Sequence, residues 1–211
     1  MVFDKRIIIV SGHFGSGKTN IAVNIALERA KKGKVCIADL DIVNPYFRTA
    51  DNIAELAKSG VRCIIPEYAN SNVDIPSLPA EYHSMFYSDE TCIIDVGGDA
   101  EGATVLSIDK ELYDSVGYDM IYVVNFLRPM TMCADDALAM LRHIEDSSRL
   151  KFTHIINNTN LGDETTDEII RPYIAETQKL SSLSGLPLIA NTSFNSGIDL
   201  TVIKSVTKKL F

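Results

Sequence analysis

The sequence predicts an α/β fold, a three-layer α/β/α sandwich built on a mainly parallel sheet of about seven strands. Three observations lead there: short β-branched apolar runs, segments of helical spacing between them, and alternation of the two along the whole chain. The runs are residues 6–11, 34–39, 61–66, 91–95, 120–125, 153–157 and 186–191. Each is strand-sized and apolar on both faces, as strands buried between helices are. The clearest helix is predicted over 19–32, where Ile21, Ala22, Ile25, Ala26 and Arg29 share a face and Gly33 follows as a stop. Further helices are expected over 49–59, 103–115, 131–147, 165–182 and 198–210. Thr165 with Glu168 makes a capping-box pattern, and Ser196 with Asp199 a weaker one. The proline-rich stretch 66–79 reads as a surface loop.

A length of 211 residues without linker, repeat or low-complexity stretch is read as a single domain over 1–211. With 46% hydrophobic and 23% charged residues the chain is expected to bury a true core, which excludes a disordered or fibrous class. The formal charge of -8 repels phosphate backbones and anionic lipid, so sequence-independent nucleic-acid binding and broad membrane adsorption are excluded. Any bound anion must be held locally, by backbone N–H groups and one or two cations. Cys36, Cys63, Cys92 and Cys133 lack metal-ligand spacing and are read as reduced thiols, three of them on strands. The first apolar run, residues 7–10, is too short for a signal-peptide core or a membrane span, which leads to the expectation of a cytoplasmic protein.

In an open α/β sheet the ligand site lies outside the carboxyl ends of the strands. After the first strand comes GHFGSGKT, residues 12–19, which fits G-x-x-x-x-G-K-[ST] between a strand and a helix. Such a loop curls its N–H groups inward onto phosphate oxygens, and the following helix adds its positive end. Gly12, His13, Phe14, Gly15, Ser16, Gly17, Lys18, Thr19 and Asn20 are therefore the expected nucleotide-binding residues, with Lys18 on the β- and γ-phosphates and the Thr19 hydroxyl on Mg²⁺. Two strands end in carboxylates, Asp39 and Asp41 in ADLD and Asp95 in IIDVGGD, where a flexible Gly97-Gly98 pair follows. Carboxylates at strand ends beside such a loop suit Mg²⁺ and its bound water.

These motifs resemble the deviant-P-loop family of MinD, ParA, the nitrogenase iron protein and the CobQ/CobB-type nucleotide-binding domains. Residues 17–26, GKTNIAVNIA, look like that family's GKTT-x-x-x-NLA; Asp39-Leu40-Asp41 resembles its D-x-D switch and residues 95–99 its second switch. Asn125, Thr131 and Ala134-Asp135-Asp136 resemble the turn and helix after its fifth strand. The resemblance implies a P-loop NTPase fold, Mg²⁺-ATP as cofactor, Lys18 and Asp41 as catalytic residues, Thr19, Asp39 and Asp95 around the metal, and a homodimer closed over nucleotide. The family's signature lysine falls at His13, and a neutral histidine cannot stand in for a charged lysine reaching a partner's phosphate. Arg48 and Arg128 are candidates for a replacement cation. Gly102 stands where the nitrogenase iron protein has a cluster cysteine, so no iron–sulfur cluster is expected.

The sixth strand ends HIINNTN, residues 154–160, without the N-K-x-D carboxylate that reads guanine, and the amide of Asn157 or Asn158, helped by residues 191–197 after the last strand, is expected on adenine instead. The segment 198–210 carries Leu200, Ile203, Val206 and Leu210 on one side and is read as a helix packed on the sheet, with no stable membrane association. The leading functional expectation is a slow ATPase that acts as a nucleotide switch on a protein partner, with metalloenzyme or cofactor-enzyme maturation suggested by resemblance. The alternative is an ATP-dependent ligase or small-molecule kinase whose substrate lies under residues 66–79.

Overall fold

Segments dense in Ile, Val and Cys offer no alternating polar face to water, so their strands are stable between two helical layers. The computed structural model describes residues 1, 3–41, 53–64, 81–98, 100–194 and 201–203 and places those strands together. They are β1 (Ile7–Ser11), β2 (Val35–Leu40), β3 (Val61–Ile64), β4 (Thr91–Val96), β5 (Tyr118–Val124), β6 (His154–Asn157), β7 (Leu188–Ser193) and β8 (Thr201–Val202). The sheet runs β3-β2-β4-β1-β5-β6-β7-β8 and every pairing is parallel.

Alternate residues of each strand point to opposite layers. Ile8, Val10, Ile37, Ile93 and Ile121 pack under α1 (Lys18–Ala30) and α2 (Ile53–Lys58). Ile7, Ile9, Ile94, Met120 and Tyr122 pack under α3 (Ser84–Tyr87), α4 (Ala100–Ala103), α5 (Lys110–Val116), α6 (Ala134–Ser148) and α7 (Asp167–Ser184). Central β1 is flanked by β4 and β5, with Val10 level with Asp95 and Ile121. The loop leaving β1 thus has a carboxylate strand end on one side.

Four local expectations are corrected. The segment 198–210 is not a helix where it is described: Thr201-Val202 forms β8, with Thr192 opposite Thr201, and the Ile203 N–H donates to the Ser193 carbonyl at 2.9 Å. Three successive β-branched residues prefer that pleated edge over a helix. The helix expected over 103–115 is broken into α4, a 3-10 helix (Thr104–Asp109) and α5. There Thr104 and Ser107 turn their hydroxyls back onto the Ala100 and Thr104 carbonyls, which competes with α-helical bonding. Thr165 is not the N-cap of α7: Thr166 is, and the Thr165 hydroxyl donates to the Gly162 carbonyl at 2.6 Å and accepts from the Leu161 N–H. The short helix α3 was not expected at all; it is held by Arg6, whose guanidinium donates to the Met85 and Phe86 carbonyls, both at 2.6 Å.

Cys36 and Cys92 are buried and Cys63 half-buried on their strands, and all four cysteines are free thiols. Among the described residues no helix is long and apolar enough to cross a membrane. Residues 66–79, Arg48, Asp99 and the pair Ser196 and Asp199 lie outside the described residues.

Candidate functional site

The chain leaves β1 at Gly12, whose backbone passes close to the Val123 carbonyl of β5, and turns into α1. The Ser16 N–H donates to the His13 carbonyl at 3.1 Å and closes the turn. Gly17 is the N-cap in the left-handed region, φ 86° and ψ 27°, with no side-chain cap, and the first turn of α1 carries no acid. By contrast α6 begins with Asp135 and Asp136, and α7 with Asp167 and Glu168. Acids normally gather at that positive end and satisfy its N–H groups. Their absence from α1 leaves that end to an incoming anion. Lys18, Thr19 and Asn20 are buried at 7%, 7% and 5% exposure, whereas Phe14 at the tip is 54% exposed.

On one flank of this loop stand the carboxylates. Asp39 and Asp95 face each other in register on β2 and β4, 2% and 0% exposed. Asp39 Oδ1 accepts the Asp41 N–H at 3.0 Å, so this residue also caps the turn after β2. Burial, then the charge of Asp39, holds the Asp95 carboxyl well above the ordinary carboxylate range, against the pull of the Thr19 hydroxyl and the Lys18 ammonium. A buried carboxylate facing a second one calls for a cation. Mg²⁺ fits: it prefers hard oxygen donors and takes one or two carboxylates together with water and phosphate. Among the described residues no three His, Cys, Asp or Glu side chains cluster as metal ligands. Thr19, Asp39 and Asp95 would hold the Mg²⁺.

Gly98 closes this flank. A Cβ there would stand 2.6 Å from Lys18 Nζ and 2.8 Å from Phe14 Cα, so the segment after β4 lies directly on the loop between β1 and α1. Asp41 Oδ1 lies beside Gly97, 3.4 Å from where a Cβ would be.

On the other flank the strand ends are amides. Asn157, fully buried, donates from Nδ2 to Asn191 Oδ1 at 2.9 Å and accepts at Oδ1 from the Thr159 N–H at 3.1 Å and its hydroxyl at 2.6 Å. Asn158, 3% exposed, donates from Nδ2 to the Ser16 carbonyl at 2.7 Å and accepts at Oδ1 from the Thr192 hydroxyl at 2.6 Å. The pair expected on adenine is thus hydrogen-bonded to protein at both the oxygen and the nitrogen end of each amide. Asn125 Oδ1 accepts the Leu127 N–H at 3.0 Å, and its Nδ2 donates to the Asn160 carbonyl at 3.0 Å. The sequence places residues 191–197 beside Asn157 and Asn158 but does not disclose that Asn191 and Thr192 bond to those amides, or that Asn160 joins them. The available signal was the recurrence of Asn and Thr at or just past the ends of three neighbouring strands.

Arg128, expected only as a candidate cation, reaches the loop itself: its Nε donates to the Gly15 carbonyl at 3.0 Å. Asn125 and Thr131 pin the turn that carries it, the Thr131 hydroxyl donating to the Asn125 carbonyl at 2.8 Å. Met130 in that turn has φ 69°, an uncommon conformation for a side chain of its size. His13, at the signature-lysine position, is half-buried in the loop.

The chain matches no family model and no curated protein. Solved structures do resemble it. Over 98% of its length it matches the signal recognition particle receptor FtsY of Elizabethkingia anophelis in complex with GDP, at 14% identity and TM-score 0.54. It spans 63% of that chain. The cell division protein FtsY of Thermotoga maritima matches over 96% of this chain and 66% of its own, at 17% identity and TM-score 0.55. A nucleotide-binding protein of Archaeoglobus fulgidus in complex with ADP matches over 90% of this chain and 82% of its own, at 16% identity and TM-score 0.51. The likeness is one of fold: a parallel α/β sheet flanked by helices, as in these P-loop NTPase structures.

Proposed function

We propose that this protein binds Mg²⁺-ATP on residues 12–19 and hydrolyses it slowly, as a nucleotide switch that acts on a protein partner. The observation that carries the reading is the uncapped, acid-free start of α1 beside Lys18, Thr19 and the opposed pair Asp39 and Asp95. An anion at the helix start and a cation between the carboxylates complement both halves at once, and Mg²⁺-triphosphate is both. Adenine is favoured over guanine because residues 157–160, NNTN, offer no carboxylate for the guanine edge. In the reading Lys18 neutralises charge developing on the transferred phosphate, and Asp41, half-exposed next to Gly97, orients the attacking water. Mg²⁺ supplies further charge neutralisation when bound.

Switching is supported by the close seat of Gly98 on the loop. A γ-phosphate entering there must displace or re-bond that segment, which turns nucleotide state into a change of surface. The reading includes a nucleotide-dependent homodimer, a cytoplasmic location and, by resemblance alone, a task in metalloenzyme or cofactor-enzyme maturation.

Asp41→Ala tests the switch chemistry: it is expected to retain ATP binding in calorimetry and to lose turnover in a phosphate-release assay. Turnover equal to the parent's refutes the role. Sedimentation with and without Mg²⁺-ATP tests the dimer, and a monomer under both conditions removes it from the proposal.

A further inference from the structure

We propose that Cys36 and Cys92 form a dithiol modification site, which a hydroperoxide oxidises to a disulfide joining β2 to β4. The site lies toward the amino ends of these strands, three residues before Asp39 and Asp95, and does not depend on the nucleotide reading.

The sheet sets the pairing. Cys36 and Cys92 are the second residues of β2 and β4, stand opposite each other in register, and are both 0% exposed. Neighbouring strands lie about 4.8 Å apart, inside the Cα separation that a disulfide spans. Both side chains enter the same layer, with Met85, Phe86 and Tyr113. There the Cys36 thiol donates to Cys92 Sγ at 2.9 Å, about 0.9 Å longer than an S–S bond. Cys63 is no rival partner, because it stands level with Ile37 and packs in the opposite layer.

The two sulfurs differ in role. The hydrogen bond from Cys36 holds the Cys92 thiol below its ordinary range against burial, helped by the Ser88 hydroxyl and the Arg6 guanidinium. The same contact and burial push the Cys36 thiol up. Cys92 is therefore the attacking sulfur and Cys36 the resolving one. With hydrogen peroxide, an S–O bond forms at Cys92, the O–O bond breaks, and the departing hydroxide leaves as water with the proton that Cys92 gave up. Cys36 then attacks the resulting sulfenic acid: the S–S bond forms, the S–O bond breaks, and the hydroxyl leaves as water with the Cys36 proton. Two thiols are oxidised and one peroxide is reduced.

The cover over the pair is thin. The Met85 carbonyl of α3 lies 3.9 Å from Cys92 Sγ, and Tyr87 at the end of that four-residue helix is 80% exposed. One helical turn separates the thiols from water, and a molecule as small as peroxide needs only its local opening.

Hydrogen peroxide added to the folded full chain, followed by alkylation, digestion and mass spectrometry, tests the site. The expected product is a linked pair of peptides carrying Cys36 and Cys92, lighter by two hydrogens and restored by dithiothreitol. It is expected to form faster than the chain unfolds globally, as timed in urea. Cys36→Ser removes the resolving sulfur, and Cys92 sulfenic acid is then expected to accumulate and take up dimedone. Cys92→Ser is expected to slow oxidation of Cys36 by about tenfold or more. Two thiols still free in the parent after peroxide, or oxidation no faster than unfolding, overturns the proposal. That result is read on the parent chain and stands whether or not either variant folds. Equal oxidation rates in the two variants, or sulfenic acid that persists with both thiols present, overturns the assigned order of attack.

Discussion

The two flanks of β1 are built from nearly isosteric side chains put to opposite ends. On the β4-β2 side the strands finish in Asp95 and Asp39, buried, in register and mutually repulsive. On the β5-β6-β7 side Asn125, Asn157 and Asn191 stand at or near the strand ends, and their amides find partners in one another and in neighbouring Thr and backbone groups. An amide carries both a donor and an acceptor and can close a network by itself; a carboxylate only accepts and needs a donor or a cation from outside. One flank therefore closes on itself, and in the reading proposed above Mg²⁺-nucleotide completes the other. The loop over residues 12–17 is anchored on the amide side, through Ser16 and Asn158.

Exchanging the two chemistries tests this contrast most severely. Asn157→Asp buries a carboxylate against Asn191 Oδ1 and is expected to cost about 3 kcal/mol in urea unfolding; a loss under about 0.5 kcal/mol on the same scale would mean the amide flank is not a closed network. Asp95→Asn is expected to do the reverse, raising the stability of the ligand-free protein by about 1–2 kcal/mol at neutral pH while abolishing Mg²⁺-dependent turnover. The pH profile carries the sign. Because Asp95 is raised, the folded state holds its proton more tightly than the unfolded state, so stability is fullest at low pH and falls as pH climbs above the ordinary carboxylate range, about 4. Asp95→Asn flattens that fall, and a parallel shift of the whole curve argues against the opposed pair.

A smaller effect is expected at Gly98. Gly98→Ala pushes its segment off Lys18 and Phe14, and ATP affinity is expected to fall about tenfold with ADP affinity changed less. Equal losses for both nucleotides would separate Gly98 from the γ-phosphate. The mildest comparison uses a carboxylate far from the loop. Burial pushes the Glu145 carboxyl up, but hydrogen bonds from Arg142, Lys151 and the Phe152 N–H outweigh it and hold it below the usual range. Its contribution is present at neutral pH and lost as pH drops below about 4, opposite in sign to that of Asp95. Glu145→Gln is expected to cost about 1 kcal/mol at neutral pH and nothing at low pH.

What sequence discloses differs between the flanks for the same physical reason. The loop and the carboxylates were legible as a candidate site because their signal is local: glycine spacing, a lysine and acids at two strand ends point to a phosphate and metal site when they occur together. The sheet was legible from β-branched runs that only a covered sheet can bury. The amide network was not, because an Asn at a strand end looks the same whether it meets a base or Thr192, and the partner lies 34 residues away in the chain. Likewise Thr201-Val202-Ile203 sits within a spacing that suits a helix, and only the free edge of β7 decides for a strand.

The central claim is that the loop over residues 12–19 binds Mg²⁺-ATP through its backbone and the ammonium of Lys18. Calorimetric titration of Mg²⁺-ATP into the parent and into Lys18→Ala tests it directly. The parent is expected to bind and the variant to bind at least about 100-fold more weakly, about 2.7 kcal/mol, with its unfolding midpoint unchanged. Equal affinity in the two proteins, or no binding by the parent, contradicts it.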